Sequence, residues 1–354
     1  MVRPPRSSSQ PLVAGTATAI DQPPHSGVPT VSAPSVDSAT AAAALGQLTG
    51  AKNGAPVGSV PAVRLASNLS ASAGEQVRRY FESFLGRVGA NVVADPKIGK
   101  KGGYRLTSIF DLQHVGVAVT RYVSMTQNHT AGFGNVPRAF LFVVAQPAIF
   151  VAVKDLLLEG LIPIHGREDV DLLRPIVVGE SFSFEITAAI RKMTSATSAI
   201  LNGRFLDGKG KPIANTRTVL SFRSNFNGLE GTSLTAEAVS QLGELRLEFK
   251  VTQRTIDDYR AVTGDDNIIH VDDKVAKGLG LRGRILHGMY VENFATRALY
   301  HGGPIDTDRG GESTTKFFAP VYPGDTLRAF VGNDGKTTVL NQDNVIVLER
   351  EVSV

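Results

Sequence analysis

The chain has 354 residues, of which 42% are hydrophobic and 20% charged, with a net charge of +4 and a pI of about 9.2. This length allows one large or two medium globular domains. The absence of cysteine excludes disulfides, thiolate nucleophiles and cysteine-ligated metals. The basic residues are scattered and tryptophan is absent, so nothing indicates nucleic-acid binding. A mild basic excess fits a phosphate-bearing substrate or an acidic carrier protein.

Residues 1–74 are rich in Ala, Ser, Pro, Gly and Thr, with few aromatic side chains and almost no charge. Such a segment buries too little apolar area to offset its ordering entropy, so we predict a disordered leader. A Ser-rich, acid-poor stretch is also typical of a transit peptide. Arginine is sparse, however, and no basic amphipathic helix is visible. We therefore expect a flexible tail on a cytoplasmic protein, with a mitochondrial location as the alternative.

The first half of the chain begins with a predicted helix over residues 74–89, where apolar side chains recur at helical spacing. Residues 138–160 are almost wholly apolar and predict a buried helix that Pro147 kinks or ends. The apolar run at residues 141–153 is too short to cross a membrane, so no membrane span is expected.

Antiparallel strands are predicted next, over residues 181–190, 194–207 and 211–222, from their alternating pattern and β-branched residues. The last two flank the turn at residues 207–210 and form a hairpin. A linker rich in Gly, Ser, Thr and Asn, residues 224–235, closes the first half.

The second half repeats this plan. A strand is predicted over residues 244–253, followed by a helix over 255–264 with Thr255 as its N-cap. Strand material returns at residues 314–332. After the turn glycine Gly324 there is room for about two strands, one fewer than in the first half. A missing strand would leave an unpaired sheet edge.

An internal repeat links the halves. Pro175 and Gly179 stand four residues apart and precede an acid, a hydroxyl residue and a strand, and Pro320 and Gly324 do the same. Each segment follows a buried helical stretch. A repeat of this kind indicates a duplicated module.

Polar residues with catalytic potential cluster in TGDDNIIH, residues 263–270. Asp265 and His270 lie five positions apart, with Asn267 between them. Gly264 permits a sharp turn before Asp265. A carboxylate and an imidazole held together can share acid and base duties on one water molecule. Asn267 is interpreted as a residue that shapes the loop and also holds this water.

A second cluster, ILHGMY at residues 285–290, has the pattern of a helix start. A glycine in the first turn of a helix leaves a backbone N–H free and a surface bare. Gly288 is therefore a candidate donor to a carbonyl oxygen that gains charge during a reaction. Thr296 lies eight residues later on the same helix face.

Together the two clusters resemble the (R)-specific enoyl-CoA hydratases, the MaoC-like branch of the hot-dog superfamily. Their signature runs Gly-Asp-x-Asn-Pro-x-His and then, after a spacer, a His-Gly-Met-like helix start. Here it is matched by the residues Gly264, Asp265, Asn267, His270, His287, Gly288 and Met289. Ile268 stands where the family usually has proline, which removes a φ restraint from the loop.

The resemblance implies an α+β fold made of two hot-dog modules, each an antiparallel sheet wrapped around a long central helix. We expect a disordered leader at residues 1–74, an N-terminal hot-dog at 75–225 and a catalytic MaoC-like hot-dog at 226–354. The first half lacks the motif. Its SMTQNHTAGFG segment, residues 124–134, has Asn128 and His129 but no acid. The resemblance implies that this half widened to hold the acyl chain.

The resemblance also implies the site. Asp265, His270, Asn267 and Gly288 are expected to be catalytic. The expected substrate-binding residues are Gly264, Thr296, Arg282 and Arg284, the two arginines meeting CoA phosphates. No cofactor is expected, because CoA or phosphopantetheine enters with the substrate. No metal is expected either, because the aspartates near Asp265 lack EF-hand spacing. His287, Glu292, His129 and His165 are left outside the site.

The resulting hypothesis is a hydro-lyase of fatty-acid metabolism that interconverts trans-2-enoyl and (3R)-3-hydroxyacyl thioesters of CoA or acyl carrier protein. A homodimer is a further expectation. One alternative is a hot-dog thioesterase, in which Asp265 and His270 would activate water towards the carbonyl carbon. Another is a non-catalytic thioester-binding subunit, which the intact pair argues against. Chain length, carrier and reaction direction stay open.

Overall fold

The computed structural model describes residues 73–88, 92–100, 102–108, 119, 121–126, 135–192, 197–300 and 310–353. Residues 1–72 of the predicted leader, together with Asn128 and His129, lie outside these residues, whereas Ala73 and Gly74 are the first residues of α1. The helices are α1 (Ala73–Val88), α2 (Phe140–Ala152), α3 (Lys154–Leu158), α4 (Ala236–Ser240), α5 (Gln253–Thr263), α6 (Ile268–Val271), α7 (Asp273–Gly278) and α8 (Gly288–Tyr300). None of the described helices is long and apolar enough to span a membrane.

Eleven strands form one antiparallel sheet in the described part of the chain. They are β1 (Val92–Asp95), β2 (Gly103–Ser108), β3 (Ile162–Leu172), β4 (Phe182–Lys192), β5 (Thr197–Asp207), β6 (Pro212–Arg223), β7 (Glu244–Lys250), β8 (Gly311–Phe317), β9 (Thr326–Val331), β10 (Thr337–Leu340) and β11 (Ile346–Ser353). Their order is β1-β2-β4-β5-β6-β3-β8-β11-β10-β9-β7.

The sheet contains the same arrangement twice. The first half orders its strands β2-β4-β5-β6-β3, and the second orders them β7-β9-β10-β11-β8. Each half has its main helix ahead of its strand at the junction: α2 precedes β3, with the short α3 between them, and α8 precedes β8. The pairing of β3 with β8 joins the halves into one sheet. The fold is α+β, a double hot-dog, as predicted.

The repeated turns have the same backbone geometry. Gly179 and Gly324 adopt φ values of 96° and 98°, a left-handed region that favours glycine. The Glu180 N–H donates to the Val177 carbonyl over 3.0 Å, and the Asp325 N–H donates to the Tyr322 carbonyl over the same distance. The sequence repeat is therefore a structural repeat.

The second half contains all three strands after its turn glycine, so the expectation of about two was wrong. β9, β10 and β11 occupy residues 326–331, 337–340 and 346–353. The strands are shorter than those in the first half and are joined by tight turns. Asn344 adopts a positive φ of 59° in the second turn. Because the strands are short and the turns tight, three strands fit between residue 326 and residue 353, where two were expected.

Two helices differ from their predicted bounds. α2 continues through Pro147 to Ala152, so the proline does not end it. α5 begins two residues earlier than predicted, with Thr252 rather than Thr255 as its N-cap. The Thr252 hydroxyl accepts from the Thr255 N–H at 3.1 Å, and the Thr255 hydroxyl accepts from the Thr252 N–H at 3.2 Å. This reciprocal capping box satisfies two otherwise free donors.

Candidate active site

The segment with the candidate acid and base, residues 264–270, begins where α5 ends and is called the catalytic loop below. Gly264 caps the helix in the left-handed conformation, with φ 68°, which a residue with a side chain rarely adopts. The Asp265 carboxylate then accepts from the Asn267 N–H at 3.1 Å and tightens the turn. Ile268 is the first residue of α6 and is buried. Burial and the turn hydrogen bond therefore hold the loop in the absence of the family proline.

Asn267 ties the loop to the other half of the molecule. Its side-chain N–H donates to the Pro163 carbonyl of β3 over 3.3 Å, and its Oδ1 is buried with no protein partner among the described residues. A buried acceptor without a partner is costly unless water or a ligand occupies it. Asn267 is therefore placed to shape the loop and to hold a water or substrate group.

His270 is held as a neutral base. Its Nδ1 lies 2.8 Å from the Ile285 carbonyl, which can only accept, so Nδ1 carries the proton and Nε2 is left with a lone pair. Burial lowers the pKa of His270 despite the opposing effects of the Asp265 carboxylate and the bond to Ile285. The imidazole is thus set to accept a proton.

His287, which the sequence left outside the site, stacks on His270 with ring centroids 3.9 Å apart. Its Nε2–H donates to the Asp265 carbonyl over 3.1 Å, which leaves Nδ1 buried without a partner among the described residues. Burial, and then His270, lower the pKa of His287 well below its usual value. His287 therefore connects the start of α8 to the catalytic loop as a neutral ring.

Ligand atoms of Asp265, His270 and His287 all lie within 4.8 Å of one another. Such a carboxylate and imidazole set can in principle hold a metal ion. The histidine rings stack at an interplanar angle of 27°, however, which does not aim their in-plane lone pairs at one point.

Gly288 is the first residue of α8 and lines a cavity that Asp265, Asn267 and His270 also line. A Cβ added there would lie 3.1 Å from the Phe317 ring, a contact so tight that the ring would have to give by a few tenths of an ångström. The equivalent position in the first half follows from matched hydrogen bonds. Val136 N–H donates to Ile176, as Leu286 N–H does to Val321, both over 2.8 Å.

This match places Arg138 in the first half at the position of Gly288. Arg138 is buried, and its guanidinium donates to the carbonyls of Val170 at 3.4 Å and Gly310 at 3.1 Å. An arginine there fills the space that Gly288 leaves bare. The first half therefore lacks this feature of the site as well as the acid.

The cavity has a volume of about 330 Å³ and receives residues from both halves. Asp265, Asn267, His270 and Gly288 line it, together with mainly apolar side chains. His165 also lines it, stacked between Phe142 and Phe317 with centroids 4.6 Å away on each side, and its Nε2 lies 3.0 Å from the buried Glu168 carboxylate. The stacking of His165 on Phe142 and Phe317 joins residues that are far apart in the chain, so it leaves no local sequence signal.

The cavity wall does not include four predicted substrate-binding residues. Gly264 shapes the turn, and the Thr296 hydroxyl donates to the Glu292 carbonyl of its own helix at 2.9 Å. Arg284 pairs with Asp257 at 3.0 Å. Arg282 lies over the Tyr322 ring at 4.1 Å and is largely exposed. The local interactions of these side chains therefore explain their positions without a substrate.

The comparisons agree with this architecture. Residues 235–354 match the family model described as MaoC like domain. The chain is 29% identical over 210 residues to a "Probable enoyl-CoA hydratase 2" of Dictyostelium discoideum, covering 55% of this chain and 71% of that protein. It is 33% identical over 93 residues to the yeast "Peroxisomal hydratase-dehydrogenase-epimerase", covering 25% of this chain but only 10% of that protein. Among solved structures, HtdX of Mycobacterium tuberculosis shares the fold with a TM-score of 0.53 at 20% identity, covering 67% and 94% of the two chains.

Proposed function

We propose that the protein is an (R)-specific hydro-lyase, starting from the match of residues 235–354 to the MaoC like domain family model. It interconverts a trans-2-enoyl thioester and the (3R)-3-hydroxyacyl thioester. The relative named as an enoyl-CoA hydratase supports this choice of substrate class. The observation that carries the proposal is structural: a carboxylate, a neutral imidazole base and a helix-start glycine face one mainly apolar cavity.

The proposed mechanism gives each group a role. One water molecule binds between Asp265 and His270, whose ligand atoms are within 4.8 Å of each other. As the water oxygen bonds to C3 of the enoyl group, His270 Nε2 takes a proton from the water. That proton passes to the Asp265 carboxylate, which delivers it to C2, so both groups end as they began.

The thioester oxygen gains negative charge as C3 is attacked. The first N–H groups of a helix have no intrahelical partner, and the Gly288 N–H lies at the start of α8 on the cavity wall. A fixed donor at this point stabilises the enolate-like oxygen without reorganisation.

The test is an assay of purified protein with crotonyl-CoA and a long-chain enoyl-CoA. The proposal predicts loss of the conjugated enone absorbance and formation of the (3R)-hydroxyacyl product without release of free thiol. Thiol release with the enone intact would instead assign a thioesterase. Binding of the thioester with neither reaction would assign a non-catalytic subunit.

We further propose a cell compartment and an oligomeric state, and leave the carrier as either CoA or acyl carrier protein. A cytoplasmic location and a homodimer are the working choices. Fractionation tests the first and light scattering of the purified protein tests the second.

A further inference from the structure

The cavity that Asp265 and His270 line also has a cation in its wall for which the described residues provide no hydrogen-bond or ion-pair partner. Arg223, the last residue of β6, lines this cavity, and it is the one arginine or lysine among the described residues of the wall. Its Nε is buried and has no hydrogen-bond partner in the described part of the chain. A buried guanidinium nitrogen without an acceptor carries a desolvation cost that an anion would remove.

The sheet register places Arg223 next to the catalytic loop. Arg223 lies opposite Ile162 in the antiparallel pairing of β6 with β3, and Phe222 lies opposite Pro163. The Pro163 carbonyl accepts the 3.3 Å hydrogen bond from Asn267. Neighbouring strands lie about 5 Å apart. The backbone of Arg223 therefore lies on the strand next to Pro163, one residue beyond the position directly opposite it, and the Pro163 carbonyl is the one that holds the catalytic loop.

The other cations near the site do not compete for this role. Arg284 pairs with Asp257 at 3.0 Å, and Arg282 lies 3.7 Å from Asp325 and over the Tyr322 ring at 4.1 Å. Neither lines the cavity. Arg223 has neither a carboxylate partner nor an aromatic ring contact among the described residues, so its charge is available to a ligand.

We infer that Arg223 binds an anionic, oxygen-rich group of the thioester substrate, either a phosphate of the carrier arm or a carboxylate on the acyl group. The inference rests on the proposed function and names the substrate feature that the first half recognises. A guanidinium holds either anion with two parallel N–H donors. Arg223 is thus a substrate-binding residue, contributed by the half that lacks the catalytic motif.

Binding measurements test this without turnover. Calorimetry compares the wild type with Arg223→Gln, using CoA, pantetheine and glutaryl-pantetheine as probes. Pantetheine has neither phosphate nor carboxylate, and glutaryl-pantetheine has a carboxylate and no phosphate. A charge-assisted contact contributes roughly 10-fold or more in affinity, so we expect that loss for at least one anionic probe and no change for pantetheine.

A loss confined to CoA assigns the phosphate, and a loss confined to glutaryl-pantetheine assigns the carboxylate. Arg223→Lys, which keeps the charge, should recover part of the affinity. The matched control is Arg191→Gln, an exposed arginine near the end of β4 that does not line the cavity, which should bind every probe like the wild type. Equal affinity of Arg223→Gln for all probes, or an equal loss for pantetheine, would overturn the inference.

The result is separable from the proposed function. If the wild type binds CoA but hydrates no enoyl thioester, the hydro-lyase proposal fails. The affinities of the wild type and Arg223→Gln for the probes still test the role of Arg223. If hydration is normal but Arg223→Gln binds each probe unchanged, only the inference about Arg223 fails.

Discussion

His270 shows how one backbone contact decides the chemistry of a residue. The 2.8 Å contact to the Ile285 carbonyl fixes the proton on Nδ1, and burial lowers the pKa of the ring. The imidazole therefore stands neutral with a free Nε2, the state that a general base needs. The sequence placed His270 beside Asp265, but the tautomer depends on a residue fifteen positions away.

Gly288 leads to a prediction at the same scale. Replacing it with alanine puts a methyl group 3.1 Å from Phe317, so the ring, or the helix start with its N–H donor, must shift by a few tenths of an ångström. Removing an oxyanion donor costs ~10²–10³-fold in turnover, and we expect Gly288→Ala to lose at least part of this range in kcat. Steady-state kinetics with crotonyl-CoA measure the loss.

The control for this variant is Gly86→Ala. Gly86 lies within α1, and an added Cβ would meet no atom within 4 Å. Removing a helix glycine there should raise stability by up to about 1 kcal/mol and leave kcat unchanged. Wild-type turnover by Gly288→Ala would refute the donor role of the glycine.

At the scale of elements, α5 delivers the catalytic loop. Its capping box at Thr252 fixes the helix start, and Gly264 ends the helix directly before Asp265. The position of the loop then depends on α6 and on the hydrogen bond from Asn267 to the Pro163 carbonyl of β3. The start of α5 lies eleven residues from Gly264 along the helix, so stability and catalysis can be separated here.

Thr252→Ala removes the hydroxyl that accepts from the Thr255 N–H and should lower the free energy of unfolding by about 0.5–2 kcal/mol, with kcat within about twofold of the wild type. Urea unfolding and the hydration assay measure the two effects. Thr235→Ala is the comparison, because Thr235 caps the five-residue α4, which has no buried side chain, and should cost less. A large fall in kcat with stability intact would show that the cap is part of the site.

The sequence predicted elements whose signals are local. The buried helix α2, the β5–β6 hairpin and the repeated Pro and Gly turns were all visible in pattern and spacing, and the structure confirms them. The reciprocal Thr252–Thr255 cap was misassigned by three residues because both threonines are good caps. Three short strands looked like two because four-residue β10 carries too little alternation to recognise.

Contacts between the halves could not be read from the sequence. The Asn267 side chain bonds Pro163 of the first half, and Arg223 lies opposite Ile162 through strand pairing within the first half. Sequence spacing reports neighbours on one helix or strand, whereas these pairs are separated by many tens of residues. The stacking of His287 on His270 was likewise hidden, although both residues were singled out.

At the scale of the whole molecule, two modules form one continuous sheet, and the second supplies the motif while the first supplies part of the wall. The catalytic loop contacts β3 of the first half through Asn267. Arg138 bonds the carbonyls of Val170 and Gly310, beside the joined strands β3 and β8. The site is therefore completed by the association of the halves, as in a dimer formed within one chain.

The buried histidines predict how the stability of the fold depends on pH. His270 and His287 have lowered pKa values in the folded state, so the unfolded chain binds more protons as the pH falls below about 6.5. Stability should accordingly fall in that range, whereas above it these two groups add no pH dependence. Each histidine contributes a slope of up to about 1.4 kcal/mol per pH unit.

Urea unfolding of the wild type and His287→Phe at several pH values between 5 and 8 checks this expectation. The variant keeps an aromatic ring but loses the titrating group, so its stability should fall less steeply below pH 6.5. Carboxylates contribute the same background to both proteins. Identical slopes would mean that His287 titrates alike in the folded and unfolded chains.

The most direct test of the account is the hydration of crotonyl-CoA by the wild type, Asp265→Asn, His270→Ala and the double variant, each checked for native circular dichroism. Each single change should lower kcat by ~10²–10⁴-fold, because both groups act on one water molecule. The double variant should be little worse than either single one. Near wild-type turnover by folded Asp265→Asn, which keeps the shape of the side chain but not its proton transfer, would contradict the account.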